Sequence, residues 1–159
     1  MTLSLLNAVS PVDGRYRKKT LTLSPFFSEF ALIYYRLMVE IRWLESLAAN
    51  DAISEVPSLD EDSKAFLNQL LSQFDENEAQ KIKEYEKKTN HDVKAVEYYL
   101  KEKVESSKSL RKIAGFIHFA CTSEDINNLA YALMLKEAIL QVIQPSLAEI
   151  IGSITLLGK

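Results

Sequence analysis

Glycine and proline are scarce in this sequence, four of each among 159 residues, and a chain built from many tight turns needs more of both. That shortage excludes a many-stranded sandwich or barrel and favours long helices. A single cysteine, Cys121, excludes an intramolecular disulfide. The opening residues MTLSLLNAVSPVDGRY lack a basic stretch followed by an apolar run and a small-residue cleavage site, so the expected location is cytoplasmic. No tract reaches the roughly 20 uninterrupted apolar residues of a membrane span. Lys136, Glu137 and Glu149 break the longest one, and no membrane is expected among the partners. A net charge of −3 provides no broad basic field, so no nucleic acid is expected either, although Arg15, Arg17, Lys18 and Lys19 form a cluster able to hold one small anion. The two histidines, His91 and His118, have no second ligand at helical spacing, so no metal is expected. What is present, 47% hydrophobic and 26% charged residues, is enough to bury the core of one domain, or of one domain and the start of another.

The apolar pattern predicts an all-α fold. Residues 1–23 have no sustained period, Pro11 with Gly14 marks a turn, and the segment reads as an extended arm. Ser24 followed by Pro25 fits a helix start, and Phe26, Phe30, Ile33, Leu37, Ile41, Leu44 and Ala48 recur at helical spacing. Tyr34, Tyr35, Met38, Val39 and Trp43 widen that face, so this helix should be largely buried. Ser58 and Glu61 have capping-box spacing ahead of a short helix carrying Phe66 and Leu70, with Leu67 a further candidate for its apolar face. Asp75 and Glu78 repeat the signal before a polar helix ending near Lys88. Val93, Val96, Leu100 and Val104 form a narrow stripe, with Glu97 and Lys101 spaced as an ion pair. Ser106 to Ser109 read as a linker, placing a division near 108 between an N-terminal helical domain, 1–108, and a second segment, 109–159. A short helix then runs to Cys121. In the final segment Leu129, Leu133, Leu140, Ile143, Leu147, Ile150, Ile154 and Leu157 form a bundle seam, which Pro145 should kink or divide. Nothing else in the chain is long enough to cover that seam, so its partners are expected from further sequence or from other copies.

Three polar joints are candidates for chemistry. Asp13-Gly14-Arg15-Tyr16 combines a turn, a guanidinium fork and a phenol, which suits a phosphate or carboxylate. Thr89-Asn90-His91-Asp92 opens a helix, where unpaired N–H groups and the helix dipole favour anions. There His91 could donate to an oxyanion or move a proton, with Asp92 orienting it; in the plainer reading Asn90 or Thr89 caps the helix and His91 is merely exposed. The third joint, Cys121 to Asn128, is another helix start, where Thr122 and Ser123 add hydroxyls for an anion and Glu124 and Asp125 serve the cap and dipole. His118 reads as a satisfied core histidine and Cys121 as a small buried hydrophobe.

Three strings, AVSPVDGRY at 8–16, TNHDVKAVEYYLKEKV at 89–104 and FIHFACTSEDINNLAYALMLK at 116–136, in this order and spacing, resemble the adenylosuccinate lyases of bacterial purine biosynthesis, within the fumarase/aspartase superfamily. RWLESLAA at 42–49 extends the resemblance along nearly the whole chain. It implies β-elimination at a C–N bond, releasing fumarate from adenylosuccinate and from succinylaminoimidazole carboxamide ribonucleotide, with no cofactor. It further implies that Arg15 and Tyr16 hold the nucleotide phosphate, that Asn90, His91 and Asp92 line the site around base and succinyl group, and that Thr122 and Ser123 hold a succinyl carboxylate. The family's Thr-His-Gly-Gln-Pro and Ser-Ser-x-Met-Pro motifs, which carry its main acid and base, do not occur here. They are expected beyond Lys159, leaving His91 an auxiliary role and this chain inactive alone. The resemblance also implies a homotetramer with sites shared between subunits, and makes the 109–159 segment the start of its central helical bundle. Rival readings are another lyase of the superfamily, or a non-catalytic helical assembly module in which the joints are only structural.

Overall fold

A computed structural model describes residues 6–158, and among them every regular element is helical. The residues fall into two compact units, one from Leu32 to Leu133 and one comprising the residues before Leu32 and those from Met134 onward.

In the latter unit, the described part of the expected arm is coiled into turns instead of extended. The Gly14 N–H donates to the Ser10 carbonyl at 2.8 Å and the Tyr16 N–H to that of Pro11 at 2.9 Å. Helix α1 (Arg17–Thr20) is a single turn, followed by a 3₁₀ turn at Leu21–Leu23 and by α2 (Ser24–Phe27). The Thr20 hydroxyl donates to the Val12 carbonyl at 3.1 Å, closing the segment on itself, a local contact that no periodicity reveals. Pro25 lies in the first turn of α2 as expected, but the helix does not run on to Ala48. Ser28 is extended, with ψ 164°, and its Oγ accepts the Ala31 N–H at 3.2 Å, so Ser28 caps a second helix, α3 (Glu29–Ala48).

Near the other end of the chain, α8 (Ser123–Ala138) passes through a wider π-type turn at Ile139–Ile143 into α9 (Gln144–Leu157). Pro145 explains the wider turn, since it has no N–H for the Gln141 carbonyl and its ring crowds that oxygen. The helix bends its hydrogen-bond pattern there and continues. Along α9, Leu147, Ile150 and Ile154 are 52%, 54% and 64% exposed, so the expected seam is a bare apolar stripe. The 35 residues from Ser123 to Leu157 are long and apolar enough to cross a bilayer by length and composition, with mean hydropathy 1.4 over the most apolar stretch, despite the interrupting charges. Helices packed among other helices share this property.

In the Leu32–Leu133 unit, each helix start is fixed by a side chain. Asp60, not Ser58, caps α4 (Glu61–Ser72) by accepting the Ser63 N–H at 2.8 Å. The buried face of α4 is Ser63, Leu67 and Leu71, with Phe66 and Leu70 flanking it. Asp75 caps α5 (Glu76–Thr89) as expected, accepting from the Glu78 N–H. Helix α6 (Asp92–Val104) buries Val93, Val96, Leu100 and Val104, but also Ala95, Glu97 and Tyr99, so its buried face is broader than the stripe. Ser107 caps α7 (Lys108–Ile113), so the division expected near 108 falls inside this unit, at the first residue of α7. The helix expected to reach Cys121 ends in a 3₁₀ turn at Ala114–Phe116. Leu37, Ile41 and Leu44 of α3, with Leu67, Ile82, Leu100, Leu110 and Ile126, form the core.

Helices α5 and α6 are also joined by charge. Glu78 accepts from the Tyr99 hydroxyl at 2.6 Å and pairs with Lys103 at 2.7 Å and Lys81 at 2.8 Å. Burial raises the Glu78 carboxyl, but these three donors outweigh it and lower it from 4.5 to about 2. A carboxylate held below its unfolded value binds fewer protons when folded, so its stabilisation is complete above pH 4.5 and is lost as pH falls toward about 2. Urea unfolding across this range should show Glu78→Gln flattening the acid limb, with about 1–2 kcal/mol less stability at neutral pH.

Candidate functional site

Two helix starts that are 32 residues apart in sequence meet in the Leu32–Leu133 unit. The first is built by the α5–α6 joint. Asn90 ends α5 in the left-handed conformation, φ 51°, which Asn tolerates better than most residues. The Thr89 hydroxyl donates to the Tyr85 carbonyl at 3.1 Å, and its oxygen accepts the His91 N–H at 3.3 Å. The cap of α6 is neither Asn90 nor Thr89 but His91 itself, whose Nδ1 accepts the Lys94 N–H at 3.2 Å. That bond assigns the tautomer: Nδ1 is the acceptor, so in the neutral ring the proton is on Nε2. The Nε2 atom lies 3.4 Å from the Ser123 Oγ, the outer limit of a hydrogen bond.

Asp92 does not orient the ring as expected. Its carboxylate pairs with Arg36 at 2.6 Å and accepts the Val93 N–H at 2.8 Å, while the nearer oxygen stays 3.8 Å from His91 Nδ1. Burial raises the Asp92 carboxyl, but the Val93 N–H and the Arg36 guanidinium outweigh it, and the net shift is downward.

The second start is α8. The Thr122 N–H and hydroxyl both donate to the Asp125 carboxylate, at 2.7 and 3.1 Å, so Thr122 and Asp125 close the cap as the sequence predicts. Asp125 is thereby engaged with its own helix end and kept ionised by these donors. Before it, His118 and Ala120 are left-handed, with φ of 64° and 57°, conformations that cost of order 1 kcal/mol or more each. Side chains of α3 hold them. Glu40, with no exposed surface, meets His118 Nδ1 at 2.6 Å, and the Trp43 indole N–H donates to the Phe119 carbonyl at 2.8 Å. Glu40 Oε2 is buried without a hydrogen-bond partner, and burial pushes its carboxyl upward against the opposing pull of His118. The partly buried Cys121 thiol is raised by burial and by Glu40 and Asp125, which suits an inert side chain.

The Ser123 start together with an imidazole whose Nε2 faces it can bind a carboxylate and hand a hydrogen bond to a nearby oxygen or nitrogen. Among the described residues no cluster of three or more metal-ligating side chains occurs.

Comparison with known proteins bears on this geometry. A family model described as Lyase matches residues 14–157. The chain belongs to this lyase family. Its sequence is 70% identical over its whole length to the adenylosuccinate lyase of Legionella pneumophila strain Corby, of which it covers 35%. It is 55% identical over its whole length to that of Vibrio cholerae strain O395, again covering 35%. It is 53% identical over 97% of its length to that of Escherichia coli K12, covering 34%. The chain thus spans about a third of the length of the curated relatives it matches.

For this lyase-family chain, Asn90, His91, Asp92, Thr122 and Ser123 all lie in the Leu32–Leu133 unit, and the structure brings His91 to Ser123. Arg15 and Tyr16 belong to the other unit. There the Arg15 guanidinium stacks 4.8 Å above the Tyr16 ring, both residues exposed, while Arg17 is neutralised by Asp13 at 2.9 Å. Sequence reasoning missed Arg36 and Glu40, and gave Asn127 no role of its own within the third joint. The available signal was two charged residues, Arg36 and Glu40, one helical turn apart within an otherwise apolar stretch.

Proposed function

We propose that the complete protein to which this chain belongs is an adenylosuccinate lyase acting in purine biosynthesis, cleaving adenylosuccinate to AMP and fumarate and succinylaminoimidazole carboxamide ribonucleotide to its carboxamide and fumarate. The observation that carries this reading is the 70% identity to the Legionella enzyme along the entire chain. The meeting of His91 with Ser123 supports it. In β-elimination a base removes a proton from the succinyl carbon next to the one bonded to nitrogen. The electrons form the fumarate double bond, and the nitrogen leaves as it is protonated.

In this reading the Ser123 hydroxyl and the free N–H groups of α8 hold a succinyl carboxylate, with Thr122 shaping that start through Asp125. His91 donates from Nε2 toward the succinyl group or leaving nitrogen, and Asn90 and Asp92 shape the surrounding wall. Arg15 and Tyr16 hold the dianionic phosphate, for which a guanidinium fork is well suited. The principal acid and base come from sequence outside this chain. The protein works without a cofactor or metal in the cytoplasm, as a homotetramer whose sites are shared between subunits, with the bare stripe of α9 covered by other helices. In the complete protein, residues 1–108 form an N-terminal helical domain and 109–159 begin the central bundle.

Fumarate release by the purified complete protein, offered adenylosuccinate and argininosuccinate in parallel, tests the proposal. Turnover of the nucleotide alone is expected, and none by the isolated 159-residue chain. Turnover of argininosuccinate instead would overturn the substrate assignment, and turnover by the short chain would overturn the division of labour.

A further inference from the structure

Arg36 is buried, 4% exposed, on a helix whose neighbours at this level are apolar. Burying a guanidinium is costly unless its donors are met at good geometry. Here its Nη2 reaches the Asp92 carboxylate at 2.6 Å, and its Nε–H donates to the Asn127 side-chain oxygen at 2.9 Å. Asp92 is the first residue of α6, next to His91; Asn127 is in the opening turns of α8, one turn after Ser123. One planar group therefore ties together the two helix starts whose side chains meet at 3.4 Å. Glu40 and Trp43 lie four and seven residues farther along α3, on the same face, and hold the loop leading into α8. Of these three, Arg36 is the one that also grips α6.

We propose that Arg36 is a positioning residue: it touches no reacting atom but sets the distance between His91 and Ser123, by holding Asp92 and Asn127 in one rigid fork. This rests on the function proposed above. A lysine in its place keeps the charge yet cannot serve both acceptors in fixed directions, because an ammonium on a flexible stem lacks the planar fork. A displacement of about 1 Å between cooperating groups can cost on the order of 100-fold in rate.

The test is made on the complete protein. Arg36→Lys is expected to lower kcat for adenylosuccinate by about 10- to 100-fold while leaving the melting temperature and the affinity for AMP close to those of the parent. In a His91→Asn background the same change should cost less than about 3-fold, because Arg36 acts through His91. An equal loss in both backgrounds would overturn the proposal, since a general structural role is indifferent to His91. Asn127→Leu, which removes one of the two acceptors, should reproduce the loss in weaker form if Arg36→Lys fails to fold. Nitrogen NMR of the His91 ring provides a readout without turnover. In the parent, the proton should be on Nε2 beside Ser123; in Arg36→Lys the Nδ1 cap keeps that tautomer, and the Nε2 signal should move toward that of an imidazole hydrogen-bonded only to water. An unchanged ring signal would overturn the positioning role even if the parent proved inactive on adenylosuccinate, an outcome that would separately refute the substrate assignment.

Discussion

Replacement of His91 by Asn in the complete protein should lower kcat/KM for adenylosuccinate by about 100-fold or more, with little change in stability. The asymmetry follows from the two jobs of the ring. Its Nδ1 caps α6 by accepting the Lys94 N–H, and its Nε2 faces Ser123. Asparagine is among the best helix caps, so it replaces the first job and abolishes the second. Alanine abolishes both, so His91→Ala should show the same kinetic loss and, in addition, about 1 kcal/mol of destabilisation. Steady-state kinetics with thermal unfolding of the parent and both variants checks this. Equal activity of the Asn variant and the parent would reduce His91 to a cap.

Two aspartates on the bare stripe of α9, Leu147→Asp with Ile154→Asp, should dissociate the complete protein and abolish its activity together. Both side chains are more than half exposed in this chain, and an apolar stripe of this length on a helix implies covering helices. A carboxylate forced into such a seam without a partner costs several kcal/mol, repeated in every copy. Light scattering should show species smaller than the parent assembly with helix content by circular dichroism retained. Because the proposed sites draw residues from several subunits, fumarate release should fall with the mass. An active tetramer carrying both aspartates would show that α9 is not the seam.

The elements themselves were legible in the sequence wherever a periodic apolar face and a short-range cap coincide. The α5 start at Asp75, the α8 start at Thr122 and Asp125, and the Glu97–Lys101 pair at 2.6 Å are interactions within four residues, and spacing alone specifies them. Where two caps compete within a few residues, spacing does not decide: Asp60 takes the role expected of Ser58, His91 that of Asn90, and Ser28 divides a helix whose apolar face continues on both sides. In each case the residue that caps has an extended backbone directly before the first helical residue. The turn at Pro11 and Gly14 was legible, but the coiling of the described residues after it up to Leu23 was missed for a related reason, because contacts such as Thr20 to Val12 leave no period to detect.

Composition and local chemistry by themselves determined that this protein is helical, which joints carry dense polar groups at helix starts, and that the final segment carries a long apolar stripe, because these properties depend on residues close in sequence. The meeting of His91 with Ser123, the burial of Arg36 between Asp92 and Asn127, and the left-handed turn at His118 locked by Glu40 were decided by tertiary structure alone. Each joins groups at least 32 residues apart, and a side chain's reach to such a partner is set by how α3, α6 and α8 pack, not by anything within a turn of its own helix.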